Sequence, residues 1–175
     1  MRGQLTRSRV RSTESNEPAL GDPGLLAHLL QARPPKKRWA IGVLPHYHDA
    51  SDPFVDRLLT LGHRVRRIEV AWTPEEVVHE VGACDVLLSS SLHGLIVADS
   101  LGVPNVHLKF GDRLMGGDYK FRDYNSVFRP GRHRAFRPEE LPMKSASALR
   151  SFVEQEFVPP TGLRRIQRDL VKALS

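Results

Sequence analysis

CDVLLSSSLHGLIVADSLGVPNV, residues 84–106, is the stretch from which the rest of the chain can be read. An apolar run, Asp85 to Leu88, ends in three serines; His93 and Gly94 then open an apolar segment that closes at Gly102, with Pro104 just beyond. This order predicts strand, tight turn, helix, next strand. A serine at the helix N-cap is expected to accept from the first backbone N–H groups. The remaining N–H groups and the helix dipole favour an anion in front of the turn. His93, in the first helical turn, is expected to point at whatever sits there, so the centre of a ligand site is placed here.

Outward from this unit the same alternation recurs. Trp39–Leu44, WAIGVL, is a short continuous apolar run suited to a strand buried on both faces, and it ends in the polar loop Pro45, His46, Tyr47, His48, Asp49. Asp52 and Pro53 start a helix through about Leu61, stopped by Gly62, and 64–71 alternates like an edge strand. Thr73, Pro74 and Glu76 cap a helix over 74–82 with Val77, Val78 and Val81 inward. Residues 105–110 supply a further strand. The chain from Phe110 to Gly131 reads as a functional loop with a short helix over 121–126, in which Tyr119, Phe121 and Tyr124 serve equally well as core plugs. Helices are expected over 145–157 and 162–174.

N-terminal to the first strand lie a short segment bearing Leu5 and Val10, a polar loop over 12–19, and a helix from Asp22-Pro23 to about Ala32. Pro34, Pro35 and a basic triplet link it to the rest. The division is therefore an N-terminal segment, 1–38, and a Rossmann-like α/β domain, 39–175: a parallel sheet with helices on both faces. Ligands in such sheets collect beyond the C-terminal strand ends. His46 and His48, the serines with His93, and the loop after Phe110 all fall at that edge.

Composition narrows the function classes. The 175 residues carry a net charge of +6, but the cations are scattered and lack aromatic interleaving, which argues for a solvated surface and against nucleic acid. One cysteine, Cys84, excludes an internal disulfide and a cysteine zinc cluster; its apolar neighbours predict a buried thiol. No apolar run reaches membrane-spanning length and no signal-peptide core is present, so the expectation is a cytoplasmic protein. His46 and His48 lack a third ligand at metal spacing, so no metal is expected. SSSLHG lacks the G-x-S-x-G elbow of a serine hydrolase. Anion recognition with acid/base chemistry survives: Ser90 and Ser91, the N–H groups around Gly94 and an imidazole suit a phosphate or carboxylate.

The run SSSLHGLIVADSLGVPN, residues 89–105, resembles the signature of the polysaccharide pyruvyl transferase family, whose members attach pyruvate ketals to exopolysaccharides and cell-wall glycans. The resemblance extends to RGQLTR (2–7), LGDP (20–23), IGVLPH (41–46) and GGDYKFRDY (116–124), in the family's order. It implies one half of a GT-B fold, no cofactor, phosphoenolpyruvate as donor, and a glycan or lipid-linked oligosaccharide as acceptor. It further implies that Arg2 grips the donor carboxylate or phosphate and that His93 serves the phosphate or acts as general acid; Ser90, Ser91, Gly94 and His46, read from the helix start and the strand edge, are expected to complete the substrate site. Many relatives carry Arg where this chain has Ser91, and Lys120 or Arg122 is the expected replacement. The family also has a domain ahead of the Arg-Gly-x-Leu-Thr segment, so a homo-oligomer formed through the uncovered face is expected. Two alternatives stand beside this reading: a GT-B glycosyltransferase using a sugar nucleotide, against which His93 and Asp99 stand where glutamates are usual, and a single-domain relic that binds without turnover.

Overall fold

A computed structural model describes residues 1–10, 18–111, 118–128 and 134–175. In chain order the elements are helix α1 (Gln4–Arg7), a 3₁₀ helix (Pro23–Leu30), β1 (Trp39–Leu44), α2 (Pro53–Leu59), β2 (Val65–Arg67), α3 (Pro74–Gly82), β3 (Cys84–Ser89), α4 (Leu92–Leu101), β4 (Asn105–Leu108), α5 (Tyr119–Asn125), β5 (Ala135–Phe136), a short 3₁₀ turn (Pro138–Glu140), α6 (Ala146–Glu156) and α7 (Leu163–Leu174).

The five strands form one sheet in the order β2-β1-β3-β4-β5, every pair parallel. The arrangement is α/β and Rossmann-like, as the alternation of elements predicts. The central pair, β1 and β3, runs in register from Trp39 opposite Cys84 to Leu44 opposite Ser89. Both strands are nearly continuous apolar runs because helices cover both faces. Phe54, Val55 and Leu58 of α2 and Leu149 and Val153 of α6 pack with Ile41, Val43, Val86 and Leu88 on one face. On the other face Val81 of α3 and Ala98 of α4 meet Leu44, Ile68, Leu87 and Val103. Cys84 lies in this second layer, and burial pushes its thiol up to about 12, so it is an inert packing group.

Caps fix most helix starts where the sequence places them. Asp52 Oδ1 accepts from Phe54 N at 2.9 Å ahead of Pro53, and Thr73 and Glu76 form a reciprocal capping box. Ser145 Oγ accepts from Ala148 N, so α6 starts one residue after the expected position. Helix α4 ends at Gly102, whose φ of 68° is the left-handed conformation that stops a helix cheaply.

Three expectations need correction, and one strand carries no signal in the sequence. The helix after Asp22-Pro23 is 3₁₀ and ends at Leu30. The carbonyl of Leu25, which an α-helix would use internally, is claimed from outside by Ser100 Oγ at 2.7 Å and Gln167 Nε2 at 2.9 Å. The edge strand expected over 64–71 pairs only at Val65–Arg67, after which buried Ile68 leaves the ladder with one last bond to Val43 O. Strand β4 stops at Leu108 instead of Phe110. Strand β5 was not foreseen, because two residues carry no periodicity. The loops expected over 12–19 and after Phe110 lie largely outside the described residues.

Candidate functional site at the β1/β3 switch point

In the order 2-1-3-4-5 the chain reverses its direction of growth between β1 and β3, and the crevice beyond their C-terminal ends is where such sheets take ligands. The loop after β1 holds His46, and the turn after β3 holds the three serines and His93. The hydrogen bonding there is dense. Ser89, fully buried, donates to Leu44 O at 2.7 Å and accepts from Ser91 N at 3.1 Å. Ser90 donates to Asp49 Oδ2 at 2.6 Å and accepts from His46 N at 2.8 Å. The two serines thus stitch the β1 loop to the β3 turn and fix the crevice walls.

Gly94 is needed for this closeness. A Cβ there would collide with Ser89 Oγ and stand 3.2 Å from both methyls of Leu44. Ser91 occupies the N-cap of α4, yet its side chain makes no capping bond, contrary to the sequence-based expectation. Its hydroxyl leaves the first-turn N–H groups of α4 to other acceptors, because Ser89 holds the Ser91 backbone in place of a cap. His93, in that first turn, is exposed to solvent, while Ser90 and Ser91 are buried behind it.

His46 is partly buried and stacks with Tyr47 and His48, ring centroids 4.3 and 5.3 Å away. Its Nδ1 accepts from His48 N at 3.3 Å, which leaves the proton of the neutral ring on Nε2. Burial pushes the His46 pKa down, and the nearby Lys120 ammonium pushes it further; Asp49 opposes both. His46 is therefore poised as a neutral ring with one N–H to donate.

The same interaction brings α5 to the site. Lys120 is the residue of α5 whose charge reaches His46, whereas Arg122, two positions on, is exposed on a different side of the helix. Phe121 stacks on His107 of β4 at 3.8 Å between centroids, and Tyr124 donates to Asp99 Oδ2 at 2.6 Å. Phe121 and Tyr124 are thus core plugs that hold α5 against the sheet, and Asp99, also bonded by Asn105 Nδ2, is a buried structural acid.

Arg2 joins the same helix by another route. Asp123, completely buried, receives Arg2 Nε at 3.3 Å, Thr6 N at 2.8 Å and Thr6 Oγ1 at 2.6 Å. Gly3 lies directly against the Asp123 backbone, with no room for a side chain. The Arg-Gly-x-Leu-Thr segment is a clasp on α5, and Asp123, the partner of Arg2, lies one helical turn from Lys120. No hydrogen bond or ion pair joins Arg2 to His93 or His46 among the described residues.

Sequence reasoning missed Asp49, Asp123 and Lys109. Each had a weak signal: Asp49 closes the His-Tyr-His loop, Asp123 lies three residues after Lys120, and Lys109 follows β4 at the ligand edge. Lys109 pairs with Asp118 at 3.2 Å and, with His48, Asp49, Ser90 and Phe110, lines a groove of about 610 Å³ at the strand ends. Among the described residues no group of three His, Cys, Asp or Glu side chains is arranged to hold a metal.

The fold is that of a parallel α/β protein with a histidine-bearing crevice at its switch point. The model of the polysaccharide pyruvyl transferase family matches residues 19–110, more than half of the chain, and the chain belongs to that family. A curated relative, the uncharacterized protein L143 of Acanthamoeba polyphaga mimivirus, is 34% identical over 115 residues, 62% of this chain. The match spans only 39% of that relative's length. No solved structure matches the chain.

Proposed function

We propose that the chain carries the donor-binding part of a pyruvyltransferase that moves the pyruvyl group of phosphoenolpyruvate onto two hydroxyls of a surface glycan, forming a ketal. Family membership supports the transferase class. The observation that carries the reading is the exposed His93 in the first turn of α4, at the C-terminal edge of the sheet, with the Lys120 charge acting on His46 of the neighbouring β1 loop. In this reading the part described here corresponds to one half of a GT-B-like enzyme.

The N–H groups of the first turn of α4, the Lys120 ammonium and the Nε2–H of neutral His46 supply donors for a small polyanion. His93 gives a proton to the methylene carbon, C3, so that C2 becomes electrophilic and one acceptor hydroxyl adds to it. Its proton returns to His93. The second hydroxyl then displaces phosphate from C2, and its proton leaves with the phosphate. Methyl, two C–O bonds and one inorganic phosphate balance the donor and the diol.

Incubating the chain with phosphoenolpyruvate and a galactoside or mannoside, with phosphate release as readout, tests the proposal. His93→Ala is expected to lower turnover about 10²-fold or more, the range for loss of general acid catalysis; Lys120→Ala is expected to raise KM for the donor. Absence of phosphoenolpyruvate binding overturns the proposal, and binding without turnover would favour a ligand-binding relic. A sugar-nucleotide glycosyltransferase is disfavoured because Asp99, the acid nearest the position needed for donor hydroxyls, is buried and held by Tyr124 and Asn105.

A further inference from the structure

Away from the crevice, α7 and the 3₁₀ helix present a surface that the proposed reaction does not use. Leu163, Ile166 and Leu170 turn inward, with Ile166 and Leu170 in the core beside Leu25. The outer side of α7 is not simply polar. Val171 and Leu174 are 45% and 67% exposed, and Leu29 of the 3₁₀ helix is 62% exposed. Leu29, Val171, Arg164, Arg168 and Lys172 line a shallow depression of about 610 Å³.

The charge around these aliphatic tips is one-sided. Helix α7 carries Arg164, Arg165, Arg168 and Lys172, all exposed, against one acid, Asp169. Several arginines elsewhere on the surface are neutralised by neighbours: Arg66 by Glu80, Arg134 by Glu156, Arg150 by Asp85 and Glu154. None of the four cations of α7 has an ion-pair partner among the described residues. The base is rigid, because Gln167 of α7 bonds Leu25 O and meets His28 Nδ1 at 3.2 Å.

We propose that this face is a docking surface for an anionic lipid bilayer, lying in the plane of the headgroups. Exposed aliphatic tips ringed by long cationic side chains match an interfacial helix, whose apolar atoms enter the acyl boundary while the cations meet lipid phosphates. A protein partner fits less well, since protein interface cores favour aromatic anchors and this depression is lined by no Phe, Tyr or Trp. The inference is independent of the reaction at the switch point.

Flotation of the chain with phosphatidylcholine vesicles, with and without phosphatidylglycerol, tests it. Binding is expected only with phosphatidylglycerol, and it should weaken in high salt. The triple variant Arg164→Glu, Arg168→Glu, Lys172→Glu should bind roughly 100-fold less, at roughly fivefold per lost cation. Leu29→Ser with Val171→Ser should also weaken binding, and unchanged thermal melts of these exposed-site variants would show that the fold is intact. Equal binding to neutral vesicles, or no loss in the triple variant, overturns the proposal. So does a dimer seen by light scattering that the serine variant dissociates while vesicles are ignored, which would assign the face to a second copy. Tight binding to an acidic polypeptide that the serine variant leaves unchanged would equally overturn it, in favour of a purely electrostatic protein partner.

Discussion

His46 shows how its surroundings set the state of one residue. Burial, the Lys120 ammonium and His48 disfavour the imidazolium, Asp49 favours it, and the balance falls below the usual value. Protonation in acid is therefore resisted in the fold and permitted in the unfolded chain. The stability that His46 contributes by staying neutral is full above the ordinary imidazole pKa and is lost as pH falls through the depressed one. NMR titration should place the His46 midpoint below that of an unfolded histidine. Lys120→Ala should move it up and Asp49→Asn further down; a Lys120→Ala variant with an unchanged midpoint would remove α5 from the site. Serines 89 and 90 teach a related lesson: a polar triplet read as ligand donors puts two of its hydroxyls into stitching two strand ends, and His93, in front of them, is the side chain left exposed to solvent.

At the scale of elements, α5 is the hinge of the architecture. It meets β4 through Phe121 and His107, α4 through Tyr124 and Asp99, and α1 through Asp123. Losing Asp123 removes three hydrogen bonds to one buried carboxylate, two from Thr6 and one from Arg2. Asp123→Ala is expected to cost about 2–4 kcal/mol in urea unfolding, from hydrogen bonds to a charged group of roughly 1.5–3 kcal/mol each, reduced by the partial exposure of Arg2. It should also expose the first ten residues to rapid proteolysis while the sheet melts as one unit. Arg2→Ala should have a smaller effect, because Thr6 continues to hold Asp123. The Arg-Gly-x-Leu-Thr run could not be read as a clasp from sequence, since its partner lies 117 residues away.

For the whole molecule, topology decides where chemistry can occur. Because β1 and β3 are neighbours and their crossovers leave on opposite faces, their C-terminal loops form an open crevice that no packed helix fills. A ligand held there should stabilise the entire chain by mass action, by about 2.7 kcal/mol at a hundredfold excess over Kd. Phosphoenolpyruvate is therefore expected to raise Tm of the wild-type chain and to raise it less in Lys120→Ala. An equal shift in both would place the donor elsewhere.

What residues 84–106 determined alone was the strand-turn-helix-strand unit, the position of His93 in the first turn of α4, and the α/β class, because hydrophobic period, caps and Gly102 act within a few residues of one another. The capping box at Thr73 and Glu76 and the starts of α2 and α6 were legible for the same reason. Only the tertiary structure decided that the Lys120 charge acts on His46 while Arg122 faces solvent, that Asp123 anchors Arg2, and that Leu25 has its carbonyl bonded from two other helices. Those choices depend on contacts between segments far apart in the chain, where the partner of a side chain is set by how layers pack and leaves no local pattern to read.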